Sequence, residues 1–296
     1  MKILVLGAQG MMGHMVCRVL GERHELVGTL RGPFDTGDPI AAHLDEGRCI
    51  GGLDVTDEAA LRAVIERVGP DAVINCVGIV KQLAAAHDAL LSIRCNSLLP
   101  HQLAAICADG DARLVHLSTD CVFSGRRGRY TETDLPDPVD LYGRSKLLGE
   151  TSEAEALTIR TSIVGRQIAG HTSLFEWVLG QAGSAVKGFT KAIYTGLTTY
   201  ALTQVIEEIL LDHPDLSGVW QIASDPISKF DLIVELDRRL DLGLEITADS
   251  DFECDRSLDG SRFAAATGIV VPSWDAMLDQ FAADQPTYTA VGGALA

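Results

Sequence analysis

Over the first 165 residues, short apolar runs alternate with segments of helical period. The runs are Ile3–Leu6, Leu26–Leu30, Cys49–Gly52, Ala72–Cys76, Arg113–Leu117 and Leu157–Thr161. Most are apolar throughout, as strands covered on both faces should be. Between them the pattern predicts helices at Met11–Leu20, Asp57–Val68, Leu90–Ala108 and Tyr142–Glu155. In the second of these, Ala60, Leu61, Val64, Ile65 and Val68 recur at helical spacing behind Asp57 as N-cap, and Gly69-Pro70 ends the helix. Strand–helix alternation of this kind predicts a parallel sheet with helices on both faces.

Past Gly165 the alternation weakens. Helical segments at Leu174–Leu179, Ala201–Leu211, Lys229–Leu240 and Trp274–Phe281 are separated by Gly, Pro and Asp clusters, and only Val219–Ile222 reads as a strand. The last stretch, Asp284 to Ala296, lacks periodicity and is expected to be a loose or partner-dependent tail. The expectation is an α/β protein: a doubly wound parallel (Rossmann) sheet in residues 1–165 and a smaller C-terminal α/β substrate lobe in residues 166–296, parts of which return to the first domain.

Composition adds exclusions. A formal charge of −17 without a basic run argues against a nucleic-acid partner, although helix N-termini and a few local Arg or Lys residues hold small anions whatever the net charge. The seven Cys residues contain no C-x-x-C pair and read as reduced core thiols. The first apolar run is too short for a signal h-region or a membrane span, so no membrane partner is expected and the default location is the cytoplasm. The eight His residues are scattered without H-x-x-H or HExxH spacing, which gives no metal site, and no Gly-x-Ser-x-Gly elbow is present.

The first run enters Gly7-Ala-Gln-Gly10-Met11-Met12-Gly13 and then a helix. Gly7 permits a tight turn, Gly10 lets backbone approach a pyrophosphate, and Gly13 lets the helix pack on the strand. Free N–H groups at the helix start then face the phosphates. An acid at the end of the second strand would hold a ribose 2′-hydroxyl. Here that strand ends Gly28-Thr29-Leu30-Arg31, and the cation in the acid's place favours NADPH over NADH. Asp54, after the third strand, is in reach of the adenine amine or else a turn residue.

Leu141-Tyr142-Gly-Arg-Ser-Lys146 sets a phenol and an ammonium four apart on one helix face. A phenol is a poor acid or base at neutral pH, and a neighbouring cation brings it toward a working range. Alone, the spacing is common in solvated helices. Upstream, Leu117-Ser118-Thr119-Asp120-Cys121-Val122-Phe123-Ser124-Gly125 places hydroxyls at the carboxyl edge of the sheet, where open α/β folds bind ligands.

Together the glycine turn, the Ser-Thr-Asp-x-Val-Phe-x-Gly run and Tyr142-Gly-Arg-Ser-Lys146-Leu-Leu-Gly-Glu150 resemble the dTDP-4-dehydrorhamnose reductase branch of the extended short-chain dehydrogenase/reductases. The likeness spans roughly the first 165 residues and continues thinly through Gly218-Val-Trp-Gln-Ile-Ala-Ser-Asp and Arg256-Ser-Leu-Asp-Gly-Ser-Arg-Phe. It implies that Tyr142 protonates a carbonyl oxygen, Lys146 lowers its pKa and holds the nicotinamide ribose, and Thr119 hydrogen-bonds the reacting oxygen. It carries cofactor contacts to Gly7, Gly10, Met11, Met12, Gly13, Cys76, Val77, Gly78, Thr161 and Ser162. On the substrate side the candidates are Lys81, Asn96, which matches an asparagine often found in the family, Asp120 and Cys121; among the basic residues of the later half, Arg256 is expected near a diphosphate, with Lys187 and Arg262 as weaker candidates. The family's run commonly has Tyr where this chain has Cys121, and an Ala-rich stretch where it reads Val77-Gly78-Ile79-Val80-Lys81-Gln82.

The implied activity is NADPH-dependent reduction of the 4-keto group of a nucleotide-linked 6-deoxy sugar, by a protein for which a homodimer is allowed. Two rivals share the scaffold: a nucleotide-sugar epimerase or dehydratase, and an NADP-binding regulatory subunit without turnover. Dehydratases resembling this family place Asp-Glu after the Thr, where this chain has Asp120-Cys121.

Overall fold

The computed structural model describes all residues except 81–87, 153–155, 169, 171 and 293–296, and the side chains of 289–292. Its main sheet holds seven parallel strands: β1 (Lys2–Leu6), β2 (Glu25–Thr29), β3 (Cys49–Ile50), β4 (Ala72–Asn75), β5 (Arg113–Leu117), β6 (Ala156–Arg160) and, from late in the chain, β10 (Gly218–Gln221). Their order is β10-β6-β5-β4-β1-β2-β3. The chain reverses direction across the sheet between β1 and β4, and such a switch point opens a crevice at the carboxyl edge.

Because side chains alternate along a strand, the apolar runs feed two cores. Ile3, Val5, Ile74, Val115, Leu157 and Ile159 face one side, packed with α1 (Met11–Leu20) and α7 (Thr199–Asp212). Leu4, Leu6, Val73, Leu114 and Ala156 face the other, with α2 (Glu58–Val68) and α4 (Leu99–Asp109). Asp57 caps α2 by accepting from the Ala59 and Ala60 N–H groups.

The predicted helix over 90–108 is three segments in sequence: α3 (Ala89–Ser92), a π-turn (Ile93–Leu98) and α4. The helix expected to run to Glu155 stops at Leu148, as α5 (Leu141–Leu148). A Cβ on Gly149 would lie 1.9 Å from the Asn96 carbonyl oxygen, so the chain turns off against the neighbouring helix there.

After Gly165 the structure holds more sheet than the sequence suggested. A second sheet, ordered β11-β8-β12, joins β11 (Ile227–Ser228), β8 (Ala185–Tyr194) and β12 (Glu245–Asp255), beside α8 (Lys229–Leu240); β7 (Ile163–Val164) pairs with β9 (Leu197–Thr198). In β8, Val186, Gly188, Ala192 and Tyr194 are buried between more open neighbours, a period of two that Lys187, Gly188 and Lys191 obscure. β12 is mostly exposed and acidic, so pairing with β8 rather than hydrophobicity makes it a strand. Helices α6 (Leu174–Leu179), α9 (Ser261–Thr267) and α10 (Trp274–Ala283) complete this half.

The tail is not loose where it is described. Residues Gln285–Gly292 form α11, and buried Tyr288 lies 2.8 Å by its hydroxyl from Nε2 of buried His14. The Tyr288 ring sits between the guanidinium groups of Arg18 and Arg166, at 5.5 and 4.9 Å. Together with Asp284, which accepts from Arg18, and Gln285, which accepts from Arg166, this tyrosine anchors the tail through contacts that periodicity could not reveal. No helix among the described residues is long and apolar enough to cross a membrane.

The tightest constraint near the crevice is at Gly13, where a Cβ would fall 2.1 Å from the Gly7 carbonyl oxygen. Gly13→Ala should destabilise the fold by about 1–3 kcal/mol, the usual range for overpacking, seen as a lower denaturation midpoint with unchanged m-value. A midpoint equal to the wild type would contradict the packing described.

Candidate active site

The crevice at the carboxyl edge is a cleft of about 640 Å³. On one side Gly7 turns the chain with φ +78°, and Gly10 caps α1 without any side-chain hydrogen bond. The first amides of α1 therefore remain available to an anion, and Gly10, Met11 and Met12 line the cleft. Cys76, Val77 and Gly78 from the β4 exit, and Thr161 and Ser162 from the β6 exit, line it further along.

Opposite, Thr119 leaves β5 and caps a short 3-10 turn (Asp120–Val122), its Oγ1 accepting from the Cys121 N–H at 3.1 Å. The Thr119 hydroxyl donates to Asp120 Oδ1 at 3.1 Å and hydrogen-bonds the Tyr142 side chain. Asp140 caps α5 by accepting from the Gly143 N–H at 2.8 Å, which starts the helix so that Tyr142 and Lys146 both face the cleft. Gly143 makes the approach feasible: a Cβ there would lie 2.2 Å from the Cys121 carbonyl oxygen.

Lys146 is almost fully buried, and its Nζ donates to the Leu117 carbonyl at 2.5 Å. Burial lowers its pKa to about 8, partly offset by Glu150. Burial also pushes the Tyr142 phenol up, with Cys121, Asp120 and Asp140 adding to the rise and the Thr119 hydrogen bond opposing it. Lys146 is thus buried and Tyr142 half-buried at the cleft wall, and the phenol holds its proton until a basic oxygen arrives beside it.

Residues 1–179 match the family model for the RmlD substrate binding domain. The chain belongs to this family. It is 30% identical over 236 residues to a probable low-salt glycan biosynthesis reductase of Haloferax volcanii, covering 76% of this chain and 75% of that protein. It is 35% identical over 162 residues to a dTDP-4-keto-6-deoxy-D-glucose reductase of Streptomyces niveus, covering 54% of this chain but only half of that protein's length. A solved structure of a hypothetical dTDP-4-dehydrorhamnose reductase from Sulfolobus tokodaii superimposes with a TM-score of 0.77 at 27% identity, over 94% of this chain and 98% of that one.

Within this RmlD-type chain, Tyr142, Lys146, Thr119, Asp120, Cys121 and Arg256 line one cleft with the cofactor-side residues above. Gly7, which makes the turn, and Gly13, packed against it, are not among the residues that line the cleft. Arg31 is exposed beyond the cleft, close enough, like Arg94, to help depress the Asp54 carboxyl, whose Oδ1 mainly accepts from the Thr56 N–H and hydroxyl. Asp54 is thus a turn residue in this structure.

Asn96 departs from its expected place at the substrate. It is buried outside the cleft lining, its Oδ1 accepting from the Ile79 N–H and its Nδ2 donating to the Ile79 carbonyl and to Ser145 Oγ. Every polar atom of the amide is spent tying the β4 exit to α5. Lys81 lies outside the described residues. Lys187 pairs with Asp249 at 3.2 Å, and Arg262 stacks on Trp220 at 3.6 Å, so neither reaches the cleft. Cys121 is buried, as expected of a core thiol, and also forms part of the cleft wall, as do Cys76 and Cys254.

Sequence reasoning missed Tyr194 at the end of β8, Phe252 and Lys229 in this wall. The alternation of β8 was the available signal for Tyr194; nothing local marked Lys229 or Phe252, which the second sheet brings in. Arg256 donates its Nε to the Phe123 carbonyl at 2.9 Å and lines the cleft.

Replacing Gly143 by Ala should push α5 away from the Thr119 turn and lower kcat roughly 100-fold, the order seen when reacting groups move by about an ångström. Far-UV circular dichroism should remain wild-type. Undiminished kcat would show that the Gly143 contact does not set the Tyr142–Thr119 geometry.

Proposed function

We propose that the chain is an NADPH-dependent reductase of the 4-keto group of a nucleotide-linked 6-deoxy sugar. The observation that carries this reading is the Tyr142–Thr119 hydrogen bond in a cleft that also holds Lys146 and the uncapped start of α1. The residues fit a dinucleotide: the first α1 amides would take the pyrophosphate, Gly10 puts no side chain in its way, and Thr161, Ser162 and Lys146, in the same cleft, would face the nicotinamide. Bound NADPH would supply a hydride to the carbonyl carbon.

The remaining chemistry belongs to the chain. A carbonyl oxygen seated between Tyr142 and Thr119 takes the place of their mutual hydrogen bond. It accepts the proton from Tyr142 as negative charge builds on it, and a hydrogen bond from Thr119 once that hydroxyl turns its single proton from Asp120 to the new oxygen. Lys146 places positive charge near the phenolate that results. Arg256 and Lys229, in the half contributed after Gly165, are suited to a diphosphate. Arg31, at the end of β2, supports NADPH as the preferred cofactor.

Against dehydration, the cleft has no glutamate among its described lining residues, and its Asp120 is already bonded to Thr119. Against a purely regulatory protein, a binding module needs no proton donor held next to Thr119. The reading includes a cytoplasmic homodimer; the exposed Leu90, Ile93, Leu98 and Leu148 on α3, the π-turn and α5 support the dimer.

A panel of nucleotide-linked 4-keto sugars assayed with NADPH and NADH should give reduction of at least one sugar, faster with NADPH. Purification with tightly retained NAD and no net reduction would instead indicate an epimerase. Tyr142→Phe should lower kcat by roughly 10²–10⁴-fold, the usual contribution of a general acid; full activity would remove Tyr142 from the mechanism. Arg31→Glu should shift the preference toward NADH, and an unchanged KM for NADPH would exclude the assigned 2′-phosphate contact.

A further inference from the structure

Behind Lys146 lies a fully buried histidine that the reductase chemistry above does not use. His116, on β5, is the cross-strand neighbour of Asn75 on β4, and neither is more than 1% exposed. We infer that His116 is a positioning residue: it aims a fixed N–H at the Lys146 amine and thereby favours release of the lysine's proton. The inference rests on the catalytic reading of Tyr142 and Lys146.

The direction of that N–H follows from a chain of hydrogen bonds. The Val77 backbone N–H donates to Asn75 Oδ1 at 3.1 Å, and only the oxygen of an amide can accept, so the Asn75 amide has one orientation. Its Nδ2 then faces His116 Nδ1 at 3.1 Å. An amide nitrogen only donates, so Nδ1 carries the lone pair. Burial holds the ring neutral, and a neutral imidazole with a bare Nδ1 carries its proton on Nε2.

His116 Nε2 stands 3.4 Å from Lys146 Nζ. Toward an ammonium, the Nε2–H sets two donors against each other; toward a neutral amine, it becomes an N–H···N bond. The neutral amine therefore gains a partner that the ammonium lacks. The other groups at the Lys146 amine are Glu150, which favours the charged form, and the Leu117 carbonyl, which accepts from Nζ; Tyr142 lies one helical turn earlier on α5, His101 of α4 acts on His116, and Asp120 and Cys121 act on Tyr142. When Tyr142 has given its proton to substrate, Lys146 can pass one to the phenolate, becoming an amine that regains its proton from water. The same chain reaches Val77 in the cleft wall, which ties the orientation of His116 to the cofactor-side loop.

The test reads the lysine directly. In the full-length protein with NADP bound, the Lys146 13Cε resonance is titrated in the wild type, His116→Phe and His116→Gln. Phe removes the N–H and should raise the Lys146 midpoint by about one pH unit, a tenfold change in the proton equilibrium. Gln keeps a donor in place and should leave it within about 0.3 unit, a twofold change by the same relation. The alkaline limb of kcat should move with the midpoint. A Phe variant that binds NADP and titrates like the wild type would overturn the proposal. If that variant does not fold, the 15N shifts of His116 in the wild type decide: a protonated Nε2 supports the proposal and a protonated Nδ1 overturns it. The tautomer and the midpoint need no substrate, so failure of the reductase reading would appear separately, as absent turnover with every sugar.

Discussion

The site depends on how closely α5 can lie against the backbone around it. At Gly143 the helix meets the Thr119–Val122 turn, and at Gly149 its end meets the π-turn carbonyl of Asn96. Neither contact leaves room for a methyl group. Tyr142, just before the first point, and Lys146, between the two, are carried into place by these backbone contacts and held there by hydrogen bonds to Thr119 and the Leu117 carbonyl. The Asn96 amide closes the arrangement by bonding Ile79 on one side and Ser145 on the other.

A buried ion pair holds the back of this assembly. Glu150, just past α5, takes both Nε and Nη2 of Arg160 at 2.8 and 2.7 Å and also accepts from Ser118 Oγ at 2.6 Å. Two buried charges are expensive unless paired and hydrogen-bonded, and here the pair joins the end of β6, the end of α5 and the residue before Thr119. Arg160 also lies over the Phe123 ring, which stacks on Tyr130 at 4.2 Å. Tyr130 in turn bonds the Ser257 backbone, next to Arg256. The catalytic side and the late loop that faces the cleft are thus one mechanically linked unit.

The C-terminal half solves a different problem. Its small sheet is open and acidic, and most of its cations are neutralised locally: Lys187 by Asp249, Lys191 by Glu253, and Arg239 by Glu235, Asp275 and Asp279. Arg256 and Lys229, which line the cleft, stand apart from these pairs. In a chain of formal charge −17, that selective placement gives an anion a local site without a globally attractive field.

The sequence by itself determined the parallel sheet, the glycine turn and the Tyr142–Lys146 spacing, because each is local: an apolar run, a turn that needs small residues, and one helical turn of separation. Only the tertiary structure decided that α5 ends at Leu148, that Asn96 is a brace, that β12 is a strand, and that Tyr288 secures the tail. These depend on contacts between residues far apart in the chain, such as Gly149 with Asn96 and Tyr288 with His14. The same holds for the Asn75–His116–Lys146 chain, whose members come from two strands and a helix and have no spacing that a linear reading could detect. Periodicity records which face of an element is buried; it carries no record of which element covers that face.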